Sequence, residues 1–256
     1  MALKLMSSTQ MTSHDVPAYP ETADIETSSD DYATRFSGEV GRWFLKVQED
    51  ATTEMLRPYT CPSIVDVGGG HGQLTKAFLK QGSAVTILGS AESCRKRVEP
   101  YLDESHCWFV RCNLIALPFP KQHFDVSVSY RLLPHCDAWK QLVAELCRVA
   151  KHAVIIDYPD VKSMNAIAPV LFQWKKGLEK NTRPFTCFRT GELIQEFGLH
   201  GFRLADRYPE FFLPMVLHRA LKRPRLSIFI EGVCRMLGLT ALFGSPVILK
   251  FVRNAI

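Results

Sequence analysis

The chain has 256 residues and a net charge of +5, with 46% hydrophobic and 22% charged residues. This composition is ordinary for a globular protein and suffices for one large domain. The charge is too small to indicate a nucleic-acid partner by itself, and we expect none. No apolar stretch approaches the length of a membrane-spanning helix. The eight cysteines form no C-x-x-C pair, so we expect no metal site and a reducing, cytoplasmic setting.

Residues 1–30 are rich in Ser, Thr, Asp and Glu and contain few large apolar side chains. Such a segment buries little apolar area, so we expect a disordered N-terminal tail followed by one domain over residues 31–256. From Val40, apolar residues recur at helical spacing as far as Pro58 and predict a helix.

A glycine cluster follows this helix. Residues 63–73 read SIVDVGGGHGQ, which is the pattern of a strand, a tight turn and the start of a helix. Glycines let a backbone turn sharply and approach a ligand closely, and a helix start offers free N–H groups. A dinucleotide fingerprint would need a glycine where this chain has Gln73. The glycines stand instead at 68, 70 and 72, after Asp66.

Strands and helices alternate beyond the glycines. We predict strands over residues 84–88, 107–112, 124–130 and 153–157, and helices over residues 91–102 and 139–150, with Asp137 as N-cap of the second. The alternation implies a parallel sheet with right-handed crossovers and a ligand beyond the carboxyl ends of its strands.

In the last hundred residues, the spacing of apolar side chains predicts helices over residues 164–178 and 190–197. It also predicts two final strands over residues 201–208 and 246–252. The intervening residues 209–244 are too many for a hairpin turn. They are apolar with a helical pattern, and we interpret them as a helical insertion on the acceptor side of the active site.

The spacing of Asp66 and the glycines strongly resembles the first motif of class I S-adenosylmethionine (SAM)-dependent methyltransferases. From Tyr32 to Tyr158 the chain resembles their ubiquinone-biosynthesis-like group, methyltransferase type 11. The resemblance implies an α/β, Rossmann-like three-layer sandwich with a seven-stranded, mostly parallel sheet whose last strand is antiparallel. It implies SAM as the cofactor, with Asp66 beneath the glycine turn. The positions implied around SAM are Tyr32, Arg35, Asp66, Gly68, Gly69, Gly70, Gly89, Ser90, Asn113, Leu114 and Tyr130.

Two further stretches carry the resemblance. Residues 113–125 read NLIALPFPKQHFD and match the family's Leu-Pro-Phe and Phe-Asp, while residues 145–149 match its E-x-x-R-V, a match we interpret as structural. The family has an acid where this chain has Asn113. The acid accepts a hydrogen bond from the adenine amino group, and an uncharged amide accepts a weaker one. Leu114 would offer its backbone N–H to the adenine ring.

One departure concerns the end of the second strand. The family has an acid there that binds both ribose hydroxyls, and the aligned residue is Gly89. Ser90 and Glu92 are the nearest side chains that could reach the ribose. Loss of a charged contact weakens binding by about 1–3 kcal/mol, so we expect modest cofactor affinity.

Methyl transfer mainly requires alignment of donor and acceptor and exclusion of water. A base is needed only for a hydroxyl or an acidic carbon. His135, after the fourth strand, is the candidate catalytic base, and a hydrogen bond that fixes its loop is the other interpretation. Asp157 and Asp160 are weaker candidates.

We therefore interpret the chain as an enzyme that transfers a methyl group from SAM to a small-molecule or lipid-like acceptor, at oxygen or carbon. The alternative is a non-catalytic SAM-fold protein that binds a partner through residues 209–244. A nicotinamide oxidoreductase is disfavoured by Gln73. The oligomeric state stays open.

Cations within residues 209–244 leave three interpretations: a solvated face, recognition of an acceptor with phosphate or carboxylate, or contact with an anionic membrane surface. These cations are His218, Arg219, Lys222, Arg223 and Arg225.

Overall fold

A computed structural model of the chain describes residues 19–102, 106–163 and 185–254. Its centre is a seven-stranded sheet with the strand order β3-β2-β1-β4-β5-β7-β6. The first five strands pair in parallel, while β7 pairs antiparallel with both β5 and β6. The strands are β1 (Ser63–Val67), β2 (Ala84–Gly89), β3 (Cys107–Arg111), β4 (Phe124–Ser129), β5 (Ala150–Tyr158), β6 (Phe202–Pro209) and β7 (Val247–Arg253).

Helices lie on both faces of this sheet. They are α1 (Ala23–Thr27), α2 (Asp30–Thr34), α3 (Gly38–Leu56), α4 (Thr75–Lys80), α5 (Glu99–Leu102), α6 (Trp139–Val149), α7 (Thr190–Leu199), α8 (Met215–Leu221), α9 (Pro224–Met236) and α10 (Leu239–Phe243).

Alternate strand residues point to opposite faces and build two hydrophobic clusters. In β1, Val65 and Val67 pack with side chains of α6 and α7, while Ile64 packs with side chains of α3 and α4. This three-layer α/β arrangement confirms the predicted Rossmann-like fold.

The last part of the expected disordered tail is ordered in the structure. The N-terminal segment, defined here as residues 19–28, contains α1 and is largely buried, with Asp24 at 0% exposure. Composition misses this because the segment is held by polar contacts: Glu21 accepts a hydrogen bond from the Ala138 amide at 2.8 Å, and Asp24 bonds Ser90. The expectation of disorder is therefore wrong for residues 19–30, and residues 1–18 lie outside the described residues.

Smaller differences follow from local geometry. The helix predicted over residues 91–102 is a 3₁₀ turn (Glu92–Arg95) followed by the four-residue α5. Helix α6 is preceded by Ala138 rather than capped by the Asp137 side chain, because the carboxylate of Glu21 accepts the amide there. Residues 209–244 contain α8, α9 and α10, as predicted, whereas most of the helix predicted over residues 164–178 lies outside the described residues.

Candidate functional site

The glycine turn closes over Asp66 at the carboxyl end of β1. Gly68 has a φ of +77°, which favours glycine, and its amide donates to the Leu88 carbonyl of β2 at 3.0 Å. A Cβ atom on Gly69 would lie 2.2 Å from the carboxyl carbon of Asp66. Asp66 is fully buried, and neither of its carboxylate oxygens has a hydrogen-bond partner within the described part of the chain. Burial raises the pKa of Asp66 to about 7.

The end of β2 carries no acidic side chain of its own, but an acid reaches it from α1. Asp24 accepts hydrogen bonds from the Ser90 amide at 2.7 Å, from the Ser90 hydroxyl, and from the Cys94 thiol at 3.2 Å. At Gly89 a Cβ atom would lie 2.8 Å from Cys94 Cβ and 2.9 Å from the Phe109 ring. The family motifs in the sequence give no sign of Asp24, because 66 residues separate it from Ser90.

The loop after β3 brings Asn113 and Leu114 to the same edge of the sheet. The Asn113 amide oxygen accepts from the Ile115 amide at 3.2 Å, and Leu114 is fully buried. Glu145 and Arg148 of α6 hold this loop. Glu145 accepts from the Leu117 amide at 2.6 Å, and Arg148 donates to the Leu117 carbonyl at 2.9 Å. These contacts support a structural function for the E-x-x-R-V match.

An open cavity of about 270 Å³ lies beyond the carboxyl ends of β4 and β5. Its aromatic and apolar walls come from α2, α3 and the loops that follow β4, β5 and β6. Its polar groups come from both halves of the chain. The residues that line it include Glu26, Tyr32, Arg35, Phe36, Gln48, Arg131, His135, Asp157, Tyr158, Phe185, Glu210 and Met215.

Arg131 lines this cavity and has a left-handed φ of 60°. A non-glycine residue in this region is strained, and such strain is often found at functional sites. Its amide donates to Asp157 Oδ1 at 2.6 Å, and its guanidinium lies over the Phe36 ring at 4.0 Å and bonds Gln48 at 3.2 Å. The guanidinium is thereby held in place with its Nη1 atom still without a hydrogen-bond partner in the described residues.

Asp157 and Glu210 are the buried carboxyl groups of the cavity, at 4% and 3% exposure. Burial raises the pKa of Asp157 to about 6, against the opposing effect of the Arg131 amide and charge. Burial, reinforced by the negative charge of Asp157, raises the pKa of Glu210 to about 8. Glu210 Oε1 has no hydrogen-bond partner in the described residues. Glu210 was missed from the sequence because it follows β6, far along the chain from the recognised motifs.

The remaining site positions divide between the cavity and the core. Tyr32, Arg35 and His135 line the cavity, with Arg35 over the Tyr32 ring at 4.7 Å. Tyr130, one of the positions implied around SAM, does not line the cavity: it is buried in the core, and its hydroxyl lies 2.6 Å from Thr52 of α3. Asp160 is also structural, because it bonds Tyr158 and Thr190.

SAM fits the kind of residues found at the glycine turn. An unpartnered buried carboxylate lies beneath it, and glycines permit a close approach. Asn113 follows β3 at the same carboxyl edge of the sheet. The volume beside Gly70, however, is taken by the N-terminal segment, since a Cβ atom on Gly70 would lie 2.4 Å from Ser28 Oγ. No cluster of metal-ligating side chains occurs among the described residues.

Comparison with known proteins gives consistent matches. The methyltransferase domain family matches residues 65–156. A malonyl-[acyl-carrier protein] O-methyltransferase of Buchnera aphidicola is 29% identical over 89 residues, covering 35% of each chain. An uncharacterized methyltransferase of Mycobacterium tuberculosis is 32% identical over 108 residues, covering 38% of this chain and 39% of its own. The chain thus spans little more than a third of these curated relatives.

A solved structure extends the likeness over most of the chain. Magnesium protoporphyrin IX methyltransferase from Synechocystis PCC 6803, with bound S-adenosylhomocysteine (SAH), has a TM-score of 0.60 at 16% identity, covering 90% of this chain and 97% of that one. At this identity the likeness concerns the fold. Residues 65–156 thus match the methyltransferase domain family, and the seven-stranded sheet has the α/β, Rossmann-like fold of a SAM-dependent methyltransferase.

Proposed function

We propose that the chain transfers a methyl group from SAM to a small-molecule or lipid-like acceptor. The observation that carries the proposal is one juxtaposition. The Asp66-glycine turn and the cavity with Arg131, Asp157 and Glu210 lie at the same carboxyl edge of the sheet. Ligands of open α/β sheets bind at this edge, so a methyl donor and an acceptor would meet there.

The turn residues would hold the cofactor. Gly68, Gly69 and Gly70 allow its close approach, Asp66 orients the turn, and Asn113 with Leu114 would contact the adenine. When bound, SAM supplies an activated methyl group on a sulfonium. Tyr32 and Arg35 lie on the cavity side, where Arg35 would pair with the cofactor carboxylate.

The cavity would bind the acceptor and take up its proton. Phe36, Phe185 and Met215 provide apolar surface and exclude water. Glu210 in its ionised form is an acceptor for the proton of a hydroxyl, and its pKa of about 8 suits this exchange near neutral pH. His135 also lines the cavity and stays a candidate base. The name of the Buchnera relative, an O-methyltransferase, favours oxygen over carbon as the methylated atom.

An anionic membrane surface is the partner that we propose for helices α8, α9 and α10. Lys222, Arg223 and Arg225 are exposed among apolar side chains, and this combination binds anionic lipid surfaces. His218 is not one of these cations, because it is buried and bonded to Glu231 at 2.9 Å. No helix in the described ranges is long and apolar enough to cross a bilayer. The exposed apolar side chains are Leu217, Leu221, Leu226, Ile228, Phe229, Met236, Leu237, Leu242 and Phe243.

Vesicle sedimentation tests the membrane proposal. The double variant Phe229→Ser/Met236→Ser should lose binding to vesicles that contain phosphatidylserine. Leu199→Ser is the matched control, since Leu199 is 73% exposed on α7 and Phe229 is 67% exposed on α9. Equal binding by the double variant and the wild type would contradict the proposal.

Calorimetry with SAM and SAH, followed by a methylation screen over lipid, quinone and sugar fractions, tests the enzyme. Binding with methyl incorporation supports the proposed transfer. The alternative, a non-catalytic binding protein, is favoured by the missing acid at Gly89. It predicts weak or no cofactor binding and no incorporation in any fraction.

A further inference from the structure

The N-terminal segment lies on the residues that the proposed function assigns to SAM. Helix α1 packs against the glycine turn. Ala23 is 1% exposed and belongs to the hydrophobic cluster of Val67, Leu114 and Leu132, which lie at the carboxyl ends of β1, β3 and β4. Its methyl group therefore covers apolar surface at the adenine end of the proposed site.

Asp24 occupies the polar end of the second strand. Its two oxygens accept both donors of Ser90, the amide and the hydroxyl. With an exposure of 0%, the carboxylate offers nothing to a ligand in this arrangement. An acidic side chain is thus present at the end of β2 although residue 89 is a glycine. It accepts hydrogen bonds from Ser90 and is not available to the ribose of a cofactor.

Ser28 lies against the glycine turn, at the position where a ligand would approach the backbone of Gly70. Its hydroxyl lies where a side chain on Gly70 would begin, with a separation of 2.4 Å from the Cβ position. Ala23, Asp24 and Ser28 therefore follow the site from its adenine end to its glycine turn, in one short stretch of chain. The Glu21 carboxylate anchors the stretch at the start of α6.

We propose that the N-terminal segment is an intramolecular competitor of SAM: it fills the cofactor site and must leave it before SAM binds. The inference rests on the proposed function, because it requires a cofactor site at the glycine turn. A ligand that binds only the open state has its apparent affinity reduced by the open fraction. The modest affinity for SAM that we expect would then result from this competition rather than from the lost ribose contact at Gly89.

Hydrogen–deuterium exchange on the full wild-type chain is the direct test. Saturating SAH should raise the exchange of amides in residues 21–28, because the segment leaves, and lower the exchange of Gly68 to Gly70, because the ligand covers them. Protection of both regions would describe a lid that closes over the cofactor and would overturn the inference. Unchanged exchange in residues 21–28 with SAH bound would overturn it as well.

Calorimetry with SAH on point variants provides a second test. Asp24→Ala removes the bonds to Ser90 and should tighten SAH binding about tenfold, because the closed state loses stability and the open state does not. Asp31→Ala is the matched control, an exposed aspartate on α2, and should bind as the wild type does. Weaker binding by Asp24→Ala would identify Asp24 as a cofactor ligand and overturn the inference alone. No SAH binding by any variant would overturn the proposed function together with the inference.

Discussion

Glu210→Gln tests whether the buried carboxyl of the cavity makes stability depend on pH. Glu210 is 3% exposed, and burial with the nearby charge of Asp157 raises its pKa from 4.5 to about 8. Between these values the folded protein holds a proton that the unfolded chain has released. The stabilisation is fully present below pH 4.5 and is lost as the pH rises through about 8.

The size of the effect follows from the two pKa values. The step from 4.5 to about 8, at about 1.4 kcal/mol for each pH unit, gives an upper limit of about 5 kcal/mol. Water that enters the open cavity stabilises the carboxylate and lowers this limit. We expect the wild type to lose about 2 kcal/mol of unfolding free energy between pH 6 and 9 through this group.

Urea unfolding at pH 6, 7, 8 and 9 measures the loss. Glu210→Gln should show a flatter profile than the wild type, with a remaining slope from Asp66, whose pKa is about 7. Asp157, with a pKa of about 6, contributes mainly below this range. Glu54→Gln is the control, since the Glu54 side chain is 69% exposed. Parallel profiles for the wild type and Glu210→Gln would refute the reasoning.

Three further substitutions test the site and its supports. Gly89→Asp places its Cβ within 3.0 Å of Cys94 and Phe109, so it should destabilise the protein by about 1–3 kcal/mol without tightening SAH binding; a stable variant with tighter binding would show that position 89 faces the ribose. In Gly70→Ala the new methyl group should collide with Ser28 and raise the hydrogen–deuterium exchange of residues 19–28. Gly191→Ala, with open space around the new methyl group, should leave that exchange unchanged, and equal exchange in the two variants would contradict the packing of the segment on the turn. Glu145→Ala removes the acceptor for the Leu117 amide and a partner of Arg148, so the unfolding free energy should fall by about 1–3 kcal/mol. A change no larger than that of Glu54→Ala would show that these contacts do not stabilise the protein.

The sequence determines the parts of this protein whose signal is local. The strand-glycine-helix pattern of residues 63–73 depends on neighbouring residues, since only glycine adopts the positive φ of Gly68 and Gly72 without strain. Strand alternation likewise predicts the layers, because both faces of the sheet must be covered.

Only the tertiary structure decides which distant polar groups meet. The N-terminal segment looks disordered by composition, yet Asp24 is buried because Ser90 and Cys94 satisfy its carboxylate from another part of the chain. Glu210 reaches the charge of Asp157 because the antiparallel β7 lies between β5 and β6 and brings their ends to one edge. A buried polar group is stable only with partners or a shifted pKa, and those depend on contacts that no local pattern records.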